Sequence, residues 1–201
     1  MDIVMQVTDR VQELDTLEAK WGDCKNCPLH ELRTEIIFGY GNTEATVVLI
    51  GDTPNLELEV SEITDKVLAS VGIPRADVWE TNICLCRPKP AGEFDRTRAP
   101  NKKEIEACRP RLQQELCIIK PKLVVLMGNV PLYMVVGKRG ITKNRGWLIG
   151  PDSENVIYPR VYATLHPASL LRGSAEQVQQ KKKWAWEDWK EIGRVYKEWT
   201  K

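Results

Sequence analysis

The chain has 201 residues, 42% of them hydrophobic and 28% charged. It is long enough to bury a core without staples, and its composition is that of neither a disordered chain nor a membrane span. Its net charge of +1 conceals a polarity, because residues 1–80 hold 6 Lys+Arg against 16 Asp+Glu and residues 81–201 hold 23 against 12. A basic second half can attract a polyanion; the plainer alternative is charge that follows helix faces.

The N-terminus has no basic stretch ahead of an apolar run, so the expectation is a chain without a signal peptide, resident in a reducing cytoplasm, without membrane contact and monomeric. Residues 8–21 carry Val11, Leu14, Leu17 and Trp21 at helical spacing. The loop Gly22-Asp-Cys-Lys-Asn-Cys-Pro28 ends that helix. Thr46-Val-Val-Leu-Ile50 is a β-branched run that stops at Gly51-Asp-Thr-Pro54, which predicts a buried strand feeding a turn. A helix over 59–71 is capped by Gly72, and a second strand covers 78–83. Residues 88–101 hold Pro88, Pro90, Gly92 and Pro100 without periodicity, as a functional or mobile loop would. A helix over 102–119 begins after Pro100-Asn101 and ends before Pro121. Strand 122–127, helix 129–136, strand 160–164 and a terminal helix over 175–199 complete the chain.

This alternation predicts one α/β domain over 1–201, a three-layer α/β/α sandwich with a central four-stranded parallel sheet. In such a sheet chemistry gathers at the carboxyl ends of the strands. Here those ends are Gly51–Pro54, Asn82–Pro88, Gly128–Asn129 and His166–Arg172.

Six cysteines in a reducing compartment suit metal ligation better than disulfides. Cys24 and Cys27 form a CxxC that precedes the first strand, which argues against a thioredoxin-like redox pair. Cys84, Cys86, Cys108 and Cys117 offer further ligands; the competing reading is a set of small buried hydrophobes.

In order, Cys24-Lys-Asn-Cys-Pro-Leu29, Arg33, Phe38-Gly-Tyr-Gly-Asn42, Val48-Leu-Ile-Gly-Asp-Thr-Pro54, Thr81-Asn-Ile-Cys-Leu-Cys-Arg-Pro88, Glu104-Ile-Glu-Ala-Cys108, Leu123-Val-Val-Leu-Met-Gly128, Arg145-Gly146 and His166-Pro-Ala-Ser-Leu-Leu-Arg172 span most of the chain. Together they resemble the iron–sulfur (family 4) uracil-DNA glycosylases of the uracil-DNA glycosylase superfamily. The resemblance implies a [4Fe–4S] cluster on Cys24, Cys27, Cys86 and Cys108, with Cys84 as the runner-up ligand because residues two apart on a strand share a face. It implies DNA as partner and hydrolysis of an N-glycosidic bond after the base is flipped out.

By the same resemblance Asp52, where the family carries Glu, positions the attacking water; its plainer role is a turn-forming Asp before Thr-Pro. Asn82 reads the base edge with its amide, beside Gly51 and Asn55. His166 stabilises charge on the leaving base. Leu170 and Leu171 are expected as an exposed wedge, or else as ordinary core. Arg172, Arg145, Lys143, Lys138 and the loop lysines Lys102 and Lys103 are candidates for phosphate contacts.

The chain departs from the family in three places. Asp52 and Asn55 replace a Glu and a Gly. The Phe-bearing segment that stacks on uracil is missing, with no Phe, Tyr or Trp from Gly41 to Asp77. The gap between Cys86 and Cys108 is long and contains Phe94. A pocket that lacks one wall discriminates less against larger bases. Three readings follow: a glycosylase for a bulky modified pyrimidine, such as the glucosylated hydroxymethylcytosine of phage DNA, serving in defence; a divergent uracil glycosylase of base-excision repair in which Phe94 or another residue supplies the stack; and an inactive DNA-binding module.

Overall fold

The computed structural model describes residues 2–31, 33, 35–54, 58–87, 98–149 and 160–200, and of residues 2–8 and 149 the backbone alone. Asn55 and Phe94 lie outside the described residues.

The strands are β1 (Tyr40–Gly41), β2 (Val47–Gly51), β3 (Val78–Asn82), β4 (Leu123–Met127), β5 (Gly146–Ile149) and β6 (Val161–Thr164). They form one sheet in the order β1-β3-β2-β4-β6-β5. The four inner strands are parallel, as expected, but β1 and β5 add antiparallel edges. The sheet is therefore six-stranded and mixed, not a four-stranded parallel one. Both added strands are too short to leave a periodic signal: β1 has two residues, and β5 opens on a glycine. Each pairs with the outermost parallel strand on its side, β3 or β6.

The helices are α1 (Asp2–Trp21), α2 (Leu58–Val71), α3 (Lys102–Ile119), α4 (Asn129–Val136), α5 (Ile141–Asn144) and α6 (Ala175–Trp199). The expected α3, α4 and α6 match residue for residue, because their ends are chemically marked. Asn101 accepts from the Glu104 N–H while the Glu104 carboxylate accepts from the Asn101 N–H, and Ser174 with Gln177 repeats this box at α6. Lys120 closes α3 in the left-handed region (φ 53°), immediately before Pro121. In α6, Ala185, Asp188, Trp189, Ile192, Val195 and Tyr196 share the buried stripe. No helix among the described residues is long and apolar enough to cross a membrane.

Every residue of β2 and β4 is buried, so helices cover both faces of the sheet centre. Strand β3 alternates instead. Trp79 and Thr81 face inward, where Trp79 Nε1 and Thr81 Oγ1 donate to the Glu115 carboxylate at 2.9 Å each. Glu80 and Asn82 are half-buried on the opposite face. Arg111, fully buried, pairs with Glu115, donates to Thr81 Oγ1 at 3.1 Å, and holds the carbonyls of Asn82 and Ile83. The chain runs from β2 outward to β3, then crosses to β4 on the other side of β2. That reversal opens a crevice at the carboxyl ends of β2 and β4.

Candidate active site

Gly51 ends β2 and Asn82 ends β3 as register partners. A Cβ on Gly51 would stand 2.5 Å from Asn82 Oδ1 and 3.6 Å from His166 Nε2. Glycine is therefore what lets the Asn82 amide close over the strand end, where the imidazole also stands.

His166 follows β6 and caps the 3-10 turn Pro167–Leu171. Its Nδ1 accepts the N–H of Ala168 at 3.1 Å, and its carbonyl accepts from Ser169 Oγ at 2.7 Å. With Nδ1 acting as acceptor, the neutral ring carries its proton on Nε2. Nε2 lies 3.7 Å from Asp52 Oδ1, too long for a hydrogen bond, and both side chains remain partly exposed. Asp52 Oδ1 accepts the N–H of Thr53 at 3.0 Å, the turn-forming role expected of it, and its other oxygen is left for the site.

Two hollows meet here. A cavity of about 290 Å³ is lined by Gly51, Asn82, Met127 and His166 together with Tyr40 and Glu80. A cleft of about 470 Å³ runs past Asp52 and His166 between Arg87, Arg98, Arg172 and Lys181. Pro54 and His166 border both. One compartment can hold a planar heterocycle against an amide and an N–H donor; the other is a cationic trough with a carboxylate at its inner end.

The expected residues divide. Gly51, Asp52, Asn82, His166 and Arg172 come together. Lys102, Lys103 and Lys143 are exposed but line neither hollow. Lys102 and Lys103 belong to the first turn of α3, not to a loop. Arg145, expected on phosphate, instead ties β5 to α6: it reaches Asp188 at 2.5 Å, Glu187 at 3.2 Å and the Trp184 carbonyl at 3.1 Å. Asp188 also accepts from Thr164 Oγ1 at 2.8 Å, so this clamp steadies the strand that delivers His166. The exposed pair of leucines is half right. Leu171 is 42% exposed, but Leu170 belongs to the core at 7%, because the three-residue period of the 3-10 turn puts it on the same inward face as Pro167. Sequence reasoning gave no role to Tyr40, Arg87 or Arg98. Arg87 stands in the Cys-Arg-Pro motif, and Lys181 opens the Lys181-Lys-Lys183 run, a weaker candidate for phosphate contact because it lies near the start of a helix with solvated faces.

The cysteines gather beside the site. Cys84 and Cys86 lie past the end of β3, so strand alternation does not relate them. Arg33 donates to the Cys24 carbonyl and, at 3.7 Å, to Cys86 Sγ. Burial pushes the Cys27 thiol up, and the nearness of Cys108, Cys86 and Cys24 pushes it further. The contact between Cys84 and Cys108 lowers the Cys108 thiol and raises that of Cys84. Among the described residues no group of three or more His, Cys, Asp or Glu side chains closes tightly enough to hold a metal ion. A four-iron cube takes one thiolate at each of four corners and so asks for a wider set. Cys24, Cys27, Cys86 and Cys108, mutually close and faced by the Arg33 cation, fit that donor chemistry.

A doubly covered sheet with a carboxylate, an amide and an imidazole at its carboxyl edge, opening on a cationic trough, is the architecture of a DNA glycosylase. The family model of the uracil DNA glycosylase superfamily matches residues 38–190, and the chain belongs to that superfamily. It is 30% identical over 186 residues to a type-4 uracil-DNA glycosylase of Thermotoga maritima, covering 85% of this chain and 90% of that protein. It is 29% identical over 182 residues to a type-4 uracil-DNA glycosylase of Pyrobaculum aerophilum, covering 81% and 87%.

Proposed function

We propose that this glycosylase removes a flipped pyrimidine from DNA with Asp52, Asn82 and His166, and that its cavity admits a bulky 5-substituent. The observation that carries the reading is the meeting of two hollows at His166: Asn82 and His166 line the cavity, and Asp52 and His166 line the adjoining cleft. Arg172, Arg87 and Lys181 hold the DNA backbone in the cleft, and Asn82 pairs with the edge of the extruded base. Asp52 orients a water at the sugar carbon C1′ and accepts its proton as the oxygen–C1′ bond forms. The C1′–N bond breaks, its electron pair stays on the base, and the Nε2–H of His166 hydrogen-bonds to the resulting anion. The products are an abasic site and the free base.

Cys24, Cys27, Cys86 and Cys108 would hold a [4Fe–4S] cluster. When bound it would tie the loop after α1 to the segment after β3 and to α3, a structural rather than a redox contribution. Arg33 would offset the thiolate charge.

What supports the larger substrate is the open form of the site: the cavity, about 290 Å³, is not enclosed and adjoins the cleft at Pro54 and His166. The names of the relatives favour the second reading, plain uracil excised in repair. Single-turnover rates on duplexes carrying one uracil or one glucosylated hydroxymethylcytosine decide between them. Release of the larger base supports the open pocket, and with it a role against DNA so modified. Fast uracil release with none of the larger base rejects it.

A further inference from the structure

The cavity has an aromatic wall that no loop after β2 supplies. We infer that Tyr40 is the ring on which the flipped base stacks, and that Arg75 and Glu80 hold it there. The inference rests on the base-excision reading above but not on which base is excised.

Register places the ring. Tyr40 on β1 pairs with Glu80 on β3, and Asn82 lies two residues further along the same face of β3. A diagonal antiparallel neighbour of this kind stands about 7–8 Å away, within reach of an aromatic side chain. A base hydrogen-bonded to Asn82 therefore lies beside the Tyr40 ring. Tyr40, Glu80, Asn82 and His166 all line the same cavity. Among the described residues that line it, Tyr40 carries the only phenyl-type ring.

The ring is braced. The Arg75 guanidinium carbon stands 5.2 Å over its centroid, and Arg75 Nη2 donates to Glu80 Oε2 at 2.8 Å. Burial first, and then the Glu80 charge, push the phenol up, so it stays neutral. Tyr40 is nevertheless 50% exposed, more than a tyrosine used only for packing. A half-exposed aromatic fixed by a cation and aimed into a base-sized cavity has the form of a stacking platform. The wall stands on the β1 edge, lateral to Asn82, instead of following β2.

The test separates stacking from general DNA contact. Tyr40→Leu, Tyr40→Phe and Arg75→Met are compared with wild type for binding to a uracil duplex, a duplex bearing glucosylated hydroxymethylcytosine, and the same duplex with an abasic site. Single-turnover rates are measured on whichever base wild type releases. Tyr40→Leu should weaken binding and slow excision about five- to hundredfold on the base-bearing duplex, with abasic-DNA affinity unchanged. Tyr40→Phe should stay near wild type, and Arg75→Met should show a smaller loss of the same pattern. Wild-type behaviour of Tyr40→Leu on base-bearing duplexes, or an equal loss on abasic DNA, overturns the inference. If wild type releases uracil alone, the large-base reading fails while the Tyr40 comparison still runs on uracil. If it releases neither, the binding ratio decides.

Discussion

Arg111→Met should be among the most damaging single substitutions in this protein. The guanidinium is fully buried, and the Glu115 side chain it faces is 3% exposed. Removing it leaves the Glu115 carboxylate with Trp79 Nε1 and Thr81 Oγ1 as donors but without a counter-charge, and it strands the carbonyls of Asn82 and Ile83. Each stranded buried acceptor costs about 1–3 kcal/mol, and breaking a buried ion pair from one side costs about 3–5 kcal/mol. Methionine refills most of the volume, and the ion-pair term alone sets a floor of about 3–5 kcal/mol. Against a domain stability of about 5–15 kcal/mol that is a large fraction, equivalent to a fall in Tm of about 6–20 °C at this size. Urea and thermal denaturation measure it directly. Excision should fall as well under conditions where the variant is folded, because the Asn82 carbonyl that Arg111 holds sets the direction of the Asn82 amide. Arg111→Met with Glu115→Leu should recover part of the stability, since the orphaned charge is gone. A loss below about 1 kcal/mol would refute the reasoning, because no buried network of this kind is that cheap to break.

Asp52→Asn should lose most turnover while DNA affinity persists, as the carboxylate meets water and not phosphate; equal losses in both would reject its role. His166→Ala should slow excision by about a hundredfold or more, the worth of one preorganised donor to a developing anion, read in single-turnover assays. Cys108→Ser should abolish the visible absorbance of an anaerobically purified sample and lower its Tm; a colourless wild type carrying stoichiometric zinc would sink the cluster. Glu104 is held below the usual carboxylate range chiefly by its hydrogen bonds from Arg98, at 2.6 and 2.8 Å. A depressed carboxylate adds stability that is present above its ordinary range and is lost as the pH falls through its lower, folded value. Glu104→Gln should therefore be less stable than wild type at neutral pH, with the gap narrowing in acid; parallel pH–stability curves would contradict it.

The amino-acid sequence by itself determined the inner strands, the long helices and the trio at the strand ends. Those features are local. β-branched runs, three-four spacing and capping boxes are written within a few neighbouring residues, and Asp52, Asn82 and His166 each lie at the end of a strand or within two residues of it. Parallel strands bring their carboxyl ends together whatever the loops between them do. The tertiary structure alone decided which cations face the cleft, that Arg145 serves α6, and that Leu170 points inward while Leu171 does not. It also decided the two antiparallel edges and the meeting of Tyr40 with Glu80 and Arg75. Each of these depends on pairing between segments far apart in the chain, and such pairing leaves no period in the sequence. An arginine looks the same to a sequence reader whether its partner is a phosphate or a buried aspartate 43 positions away. Only the packing of β5 against α6 chooses between them, because a buried carboxylate must find a cation and the nearest one is then no longer free for DNA.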